Sequence, residues 1–206
     1  MPTGVYTCSV SGGGVAISSG SSFTGDGSIG FQGTIPSGKS GTLSTRTDND
    51  TGVATVSTGH GITTADKVSV FWTGGRRYNM TVSATASTTI DMDGGSGDNL
   101  PIATTAIVVS VDTNVVLSVD GDNAELFALS MDIPNDQTSK AFVRAYDGSA
   151  NVATFDMTMS TPLVYAIASG ATNPITGNVV TSFYASNANA TTNATLTIIA
   201  ITDATP

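Results

Sequence analysis

His60 is the chain's single histidine and stands between glycines in Thr58-Gly-His-Gly-Ile62. A Ser/His/Asp site needs one histidine, one serine and one acid, so the inventory permits nucleophilic catalysis. No Gly-x-Ser-x-Gly elbow accompanies it, however, and glycine on both sides reads as a loop or turn. Zinc fares worse, because Cys8 and His60 are the only cysteine and histidine and cannot make a four-ligand structural site within one chain. Ser37-Gly-Lys-Ser40 has the residues of a phosphate loop without the strand-to-helix context that such a loop requires, and reads as a chance match.

Carboxylates are gathered in glycine-containing turns: Asp48-Asn-Asp50, Asp91-Met-Asp93-Gly-Gly-Ser-Gly-Asp98-Asn99 and Asp120-Gly-Asp122-Asn123. Calcium takes clustered carboxylate and carbonyl oxygens on such loops, which makes Asp91, Asp93 and Asp98 the candidate metal ligands. The loop is no EF-hand, since the twelfth position counted from Asp91 is Ile102 rather than Glu. Asp and Asn also serve turns through local backbone hydrogen bonds, and the pattern weighs toward that use. Arg76-Arg77 is the densest positive charge, and the fork of a guanidinium pairs with an Asp of its own or a neighbouring subunit. These two arginines are therefore the interface candidates. Trp72, the only tryptophan, falls on an alternating strand position and reads as a core anchor. Four Asn-x-Thr sequons (Asn49, Asn79, Asn189, Asn193) are near the number that such a Thr-rich chain gives by chance.

The elements that must position these residues follow from composition. Of 206 residues, Lys plus Arg number 7 and Asp plus Glu 16, for a net charge of -9. A nucleic-acid partner is excluded on that balance, because it demands a basic face. Gly, Ser and Thr make up about two-fifths of the chain, far from the Leu/Glu/Lys-rich average. Good helix formers give way to Thr, Val and Gly, so the expectation is all-β. No apolar run reaches membrane-spanning length, and the start, Met-Pro-Thr-Gly-Val-Tyr, shows no leader segment. No cofactor is expected.

The clearest hairpin joins Val68, Val70 and Trp72 through Thr73-Gly74-Gly75 to Tyr78, Met80 and Val82, all at a period of two. Ile107, Val109 and Val111 alternate likewise, and Lys140 to Ala145 and Val152 to Met159 flank a second turn, Tyr146-Asp-Gly-Ser149. With Leu163 to Ile167, Val179 to Ala185 and Thr195 to Ile201, the second half has the strand spacing of a β-sandwich or jelly roll. The organisation expected is a Gly/Ser-rich extended N-terminal arm with first strands over 1–52, a β-domain over 53–112 and a jelly-roll-like sandwich over 113–206.

Val68-Ser-Val-Phe-Trp72, Gly74-Gly-Arg-Arg-Tyr-Asn-Met-Thr-Val82 and Asp93-Gly-Gly-Ser-Gly-Asp-Asn-Leu-Pro101, leading into a valine-rich strand, resemble virion structural proteins of tailed bacteriophages. The resemblance covers residues 50 to 112. It implies a non-enzymatic capsid decoration (cement) protein, a homotrimer seated on the major capsid protein where capsomers meet and located on the capsid surface of the virion. Acidic composition fits that role independently by keeping the free protein soluble. The rival readings are a tail-fibre or receptor-binding appendage, a glycan-cleaving enzyme with two acids converging in a cleft, and a pilus or surface-layer subunit.

Overall fold

The computed structural model describes the backbone of residues 4–6, 9–12, 15–18, 23–116, 124–132, 140–146, 151–158, 163–166 and 182–203, and the side chains of 32–115, 143 and 182–197. Cys8, Asp120 to Asn123 and the turn at Asp147 to Ser149 lie outside the described residues. The protein is all-β: among the described residues there are eighteen strands and no helix.

Two compact units divide the chain, Met1–Thr34, Asn114–Ala185 and Ala194–Pro206 in the first, and Ile35–Thr113 with Ser186–Asn193 in the second. The first unit holds β1 (Gly4–Tyr6), β2 (Ser9–Gly12), β3 (Val15–Ser18) and β4 (Phe23–Ile35), then β12 (Thr113–Val116), β13 (Ala124–Asp132), β14 (Lys140–Tyr146), β15 (Asn151–Thr158), β16 (Leu163–Ala166), β17 (Ser182–Asn187) and β18 (Ala194–Asp203). They form a five-stranded sheet ordered β1-β4-β18-β13-β16, a four-stranded sheet ordered β12-β17-β14-β15, and the β2-β3 hairpin. Within the segment expected as an arm with first strands, the described residues include β1 to β4, with β1 antiparallel to β4. The β14-β15 hairpin pairs Val143 with Phe155, flanking the turn predicted at Tyr146-Asp-Gly-Ser149.

The second unit holds β5 (Lys39–Arg46), β6 (Gly52–Val56), β7 (Lys67–Trp72), β8 (Gly75–Thr85), β9 (Thr89–Asp93), β10 (Ser96–Gly97) and β11 (Ala106–Val111). Their order is β10-β8-β7-β11-β5-β6-β9, and β9 pairs back onto β8, so six strands close into a barrel. Closure removes the free edges that an open sheet would present. Strands β6 to β9 run in Greek-key order, β6 lying beside β9 and connecting to β7 by the long segment 57–66.

The barrel interior is filled by the inward set of each strand: Leu43 on β5, Ala54 and Val56 on β6, Val68 and Val70 on β7, Met80 and Val82 on β8, Ile90 and Met92 on β9, Ile107 and Val109 on β11. Ile62 and Leu100 close it from loops, and Trp72 and Val111 pack against it. At about 25 cal/mol per Å² of apolar surface, this cluster is the unit's main source of stability. One sequence expectation changes here. The domain expected to begin at residue 53 takes in residues from Ile35 onward, because β5 supplies a wall of the barrel, paired to β6 on one side and β11 on the other. The β8-β9 pairing closes its sheet on itself.

Strand β8 also breaks its period. Val68 pairs with Met80 but Val70 pairs with Arg77, so β8 carries one residue more than β7 between those points. The bulge falls at Asn79, whose φ is 59°; Asn is among the few residues that accept this region readily. An inserted residue switches the side that faces inward, so Arg77 and Met80 both point into the barrel. Tyr78, expected on the face of Met80 and Val82, does not share it.

Candidate functional site

Ionic side chains concentrate at the barrel end made by the β5-β6 turn, the β7-β8 hairpin and the β9-β11 connection. Arg77 is its centre. The residue is 7% exposed, a burial that a guanidinium tolerates only when its donors are met. Nε donates to the Gly94 carbonyl at 2.6 Å, one terminal nitrogen to the Asp98 carbonyl at 3.0 Å, and the other to the Gly95 carbonyl at 3.0 Å. The Asp50 carboxylate lies 3.5 Å from the last of these, on a side chain 46% exposed. An ion pair that long and that wet contributes little, so the carbonyls hold the arginine.

Glycine shapes this cradle. Strands β9 and β10 both run along β8, β9 against Thr81–Thr85 and β10 against Arg77 and Tyr78. Between them Gly94 and Gly95 both take φ 75°, and a Cβ on Gly95 would lie 2.3 Å from the Tyr78 carbonyl oxygen. Only glycine fits there. The chain swings out, turns its carbonyls inward, and the Arg77 fork occupies the gap that a continuous ladder would have filled.

The neighbouring turn is stitched to the same loop. Asp48 Oδ1 accepts the N–H groups of Asp50 at 2.9 Å and Thr51 at 2.8 Å, closing the β5-β6 turn. These bonds, that from the Asp50 N–H first, hold the Asp48 carboxyl below its ordinary range. The Thr51 hydroxyl donates to Asp93 at 2.7 Å, the Gly94 N–H to the Asp50 carbonyl at 3.1 Å, and the Leu100 N–H to the Asn49 carbonyl at 2.8 Å. Asp98 Oδ2 accepts the Arg76 N–H at 3.0 Å, and its own N–H returns to the Arg76 carbonyl at 2.9 Å.

Asp91, Asp93 and Asp98, the calcium candidates, do not form a cluster of three: among the described residues no group of three His, Cys, Asp or Glu side chains is placed to hold a metal ion. The reason is visible in the loop. Asp93 and Asp98 are engaged by Thr51 and Arg76, and the carbonyls of Gly94, Gly95 and Asp98 already face a cation, which is Arg77. The interface expected of the Arg76-Arg77 pair is corrected for Arg77, whose side chain is bound inside its own barrel. Arg76, half-buried, is tied by its backbone to Asp98.

His60 is likewise occupied by backbone. Nδ1 accepts the Ile62 N–H at 3.0 Å, which leaves the proton on Nε2 to donate to the Ala86 carbonyl at 2.9 Å. The ring thus fastens the long 57–66 connection to the β8-β9 turn. The phosphate-loop match is in fact complete in spacing, Gly33-Thr-Ile-Pro-Ser-Gly-Lys-Ser40. Here it joins β4 to β5 with no helix after it, and the Ser37 and Gly38 amides donate to Asn193 Oδ1 and the Asn189 carbonyl. Two of the four sequon asparagines, Asn189 and Asn193, are therefore engaged by the β4-β5 connection.

The sequence reading missed Asp112. It is 8% exposed, its Oδ1 accepts the Ser69 hydroxyl, its Oδ2 accepts the Asn79 N–H at 3.2 Å, and its N–H donates to the Lys67 carbonyl at 2.8 Å. A carboxylate at the end of β11 thereby holds the bulge on β8. Its signal was an acid in the set that alternates with Ile107, Val109 and Val111, namely Val108, Ser110 and Asp112. Ile102, 74% exposed, is the one exposed large hydrophobic residue among those described, two residues before Thr104, whose φ is 74°.

Among the described residues no helix is long and apolar enough to cross a membrane. No protein-family model matches the sequence, and comparison with curated proteins and with solved structures returned no significant match.

Proposed function

We propose that this chain is a structural protein of a tailed-bacteriophage virion, a decoration protein that binds the major capsid protein at capsomer junctions as a homotrimer and stabilises the capsid without reaction chemistry. The observation that carries this reading is the fastening of the ionic barrel end, where Arg77, Asp48, Asp93 and Asp98 are bound to the protein's own loops. Loops held this firmly make a preorganised surface, and preorganisation lowers the ordering cost of docking. The acidic balance and the residue pattern of 50 to 112 support the same reading. So does a closed barrel, which offers no strand edges for unplanned pairing. In this reading the five- and four-stranded sheets of the first unit stack as a sandwich, and the approach of β13 to β15 supports that.

A receptor-binding tail appendage is the second reading, favoured by Ile102, an exposed apolar side chain beside a backbone conformation that a β-branched residue seldom adopts. Light scattering of the protein alone and with capsids lacking it separates the two. Saturable binding of a trimer that raises the capsid melting temperature is the expected result. A monomer, or a trimer indifferent to capsids, overturns decoration and directs attention to cell binding and glycan cleavage.

A further inference from the structure

The segment Ser186–Asn193 is grouped with the barrel although more than seventy residues separate it from the rest of that unit. Its form is set from within. Asn189 Oδ1 accepts the N–H groups of Thr191 and Thr192, each at 2.8 Å, and the Thr191 hydroxyl at 3.1 Å. Asn187 Oδ1 accepts the Asn189 N–H at 2.8 Å, while Asn187 Nδ2 donates to the Thr192 carbonyl at 3.0 Å. Two asparagines thus template the whole turn.

Its hold on the barrel is of a different kind. The Asn187 N–H donates to the buried Ser110 hydroxyl at 3.0 Å, the Gly38 N–H to the Asn189 carbonyl at 2.8 Å, and the Ser37 N–H to Asn193 Oδ1 at 2.9 Å. The fit is close: a Cβ on Gly38 would lie 3.0 Å from the Asn187 carbonyl oxygen and 2.4 Å from Val108. Yet Ser-Asn-Ala-Asn-Ala-Thr-Thr-Asn carries no large apolar anchor, and the Ser186 hydroxyl, near the end of β17, is 1% exposed with no hydrogen-bond partner among the described residues. A buried hydroxyl left unsatisfied opposes the docked state, and water would solvate it on release.

We propose that Ser186–Asn193 is a latch, a preformed turn that docks on Ser37, Gly38 and Ser110 and lets go as one unit while the barrel stays folded. Few polar contacts and one uncompensated hydroxyl are what release requires. Local opening of this kind is read by amide hydrogen exchange.

The test is exchange on the full chain under conditions where opening is at equilibrium. The amides of Ser37, Gly38 and Asn187 should exchange as a set, at least about tenfold faster than those of β7 and β11 in the barrel ladder. Ser186→Ala, which deletes the unsatisfied hydroxyl, should slow the set several-fold, and Asn189→Ala should speed it about tenfold, with β7 and β11 unchanged in both. Exchange of the set at the barrel's own rate, or variants that shift all these amides equally, would show the segment to be an integral part of the barrel and overturn the latch. Should Asn189→Ala fail to fold, the wild type and Ser186→Ala decide the matter between them.

Discussion

The Arg77 Nε and the Gly94 carbonyl oxygen lie 2.6 Å apart across the place where the barrel's ladder is interrupted. A side chain stands there in lieu of a strand, and removing it strips three carbonyls of their donors at once. Arg77→Ala should destabilise the protein by about 3 kcal/mol or more, read from urea unfolding. Arg77→Lys should recover only part, since an ammonium lacks the planar fork. Asp50→Asn should cost less than about 1 kcal/mol, its carboxylate being half exposed. Equal losses for Asp50→Asn and Arg77→Ala would show that the ion pair, and not the carbonyl cradle, holds the loop.

Acid should weaken the β5-β6 turn through Asp48. Its folded carboxyl is held below the unfolded value, chiefly by the Asp50 N–H, so its contribution is present in full above the unfolded value and is lost as pH falls through the folded one. Stability measured from neutral pH down to about pH 2 should therefore fall, the decline beginning near the ordinary carboxylate range of about 4. Asp48→Asn keeps the acceptor oxygen while removing the titration. It should match the wild type near neutrality and show a shallower acid decline; an unchanged slope would exclude Asp48 as a contributor.

Calcium should leave the protein's melting temperature unchanged, with or without a chelator, because the loop from Asp91 to Asp98 has turned its carbonyls to Arg77. A saturable rise with calcium, abolished in Asp93→Asn, would mean that the loop can trade its guanidinium for a metal.

Asp112→Ala should release the bulge on β8 and cost about 2 kcal/mol, since it leaves the Asn79 N–H and the Ser69 hydroxyl without their carboxylate. Asp112→Asn, which keeps one acceptor, should lose less. Faster exchange of the Asn79 amide in the alanine variant is the local readout.

Strand identity was legible wherever one face alternates cleanly: Val68, Val70 and Trp72, or Ile107, Val109 and Val111, can be assigned from period alone, and both sets pack on the core. Barrel closure was not, because alternation says which side of a strand is buried and nothing about which strand lies beside it. Arg77 shows the same limit within one strand. A strict period of two puts Tyr78 with Met80, and a single residue in the left-handed region at Asn79 overturns the assignment. The Asp91 to Asp98 loop was legible as a glycine-shaped cradle for a cation. That the cation is covalently part of the chain depends on β8 bringing Arg77 beneath it, a long-range fact absent from the loop's own spelling. The phosphate-loop spelling at Gly33 to Ser40 makes the converse point: residue spacing carries chemistry only when the following element is the right one.

Lys39, at the start of β5, pairs with Val109, near the end of β11. The polypeptide therefore comes into the barrel and departs from it through neighbouring strands, as a cassette does. Such a segment can be acquired, lost or exchanged between genes with little disturbance to the chain that receives it. Here one further stretch, Ser186–Asn193, encoded far downstream, belongs to the same unit. Recombination that moved residues 35–113 alone would deliver a barrel with Ser37, Gly38 and Ser110 bare.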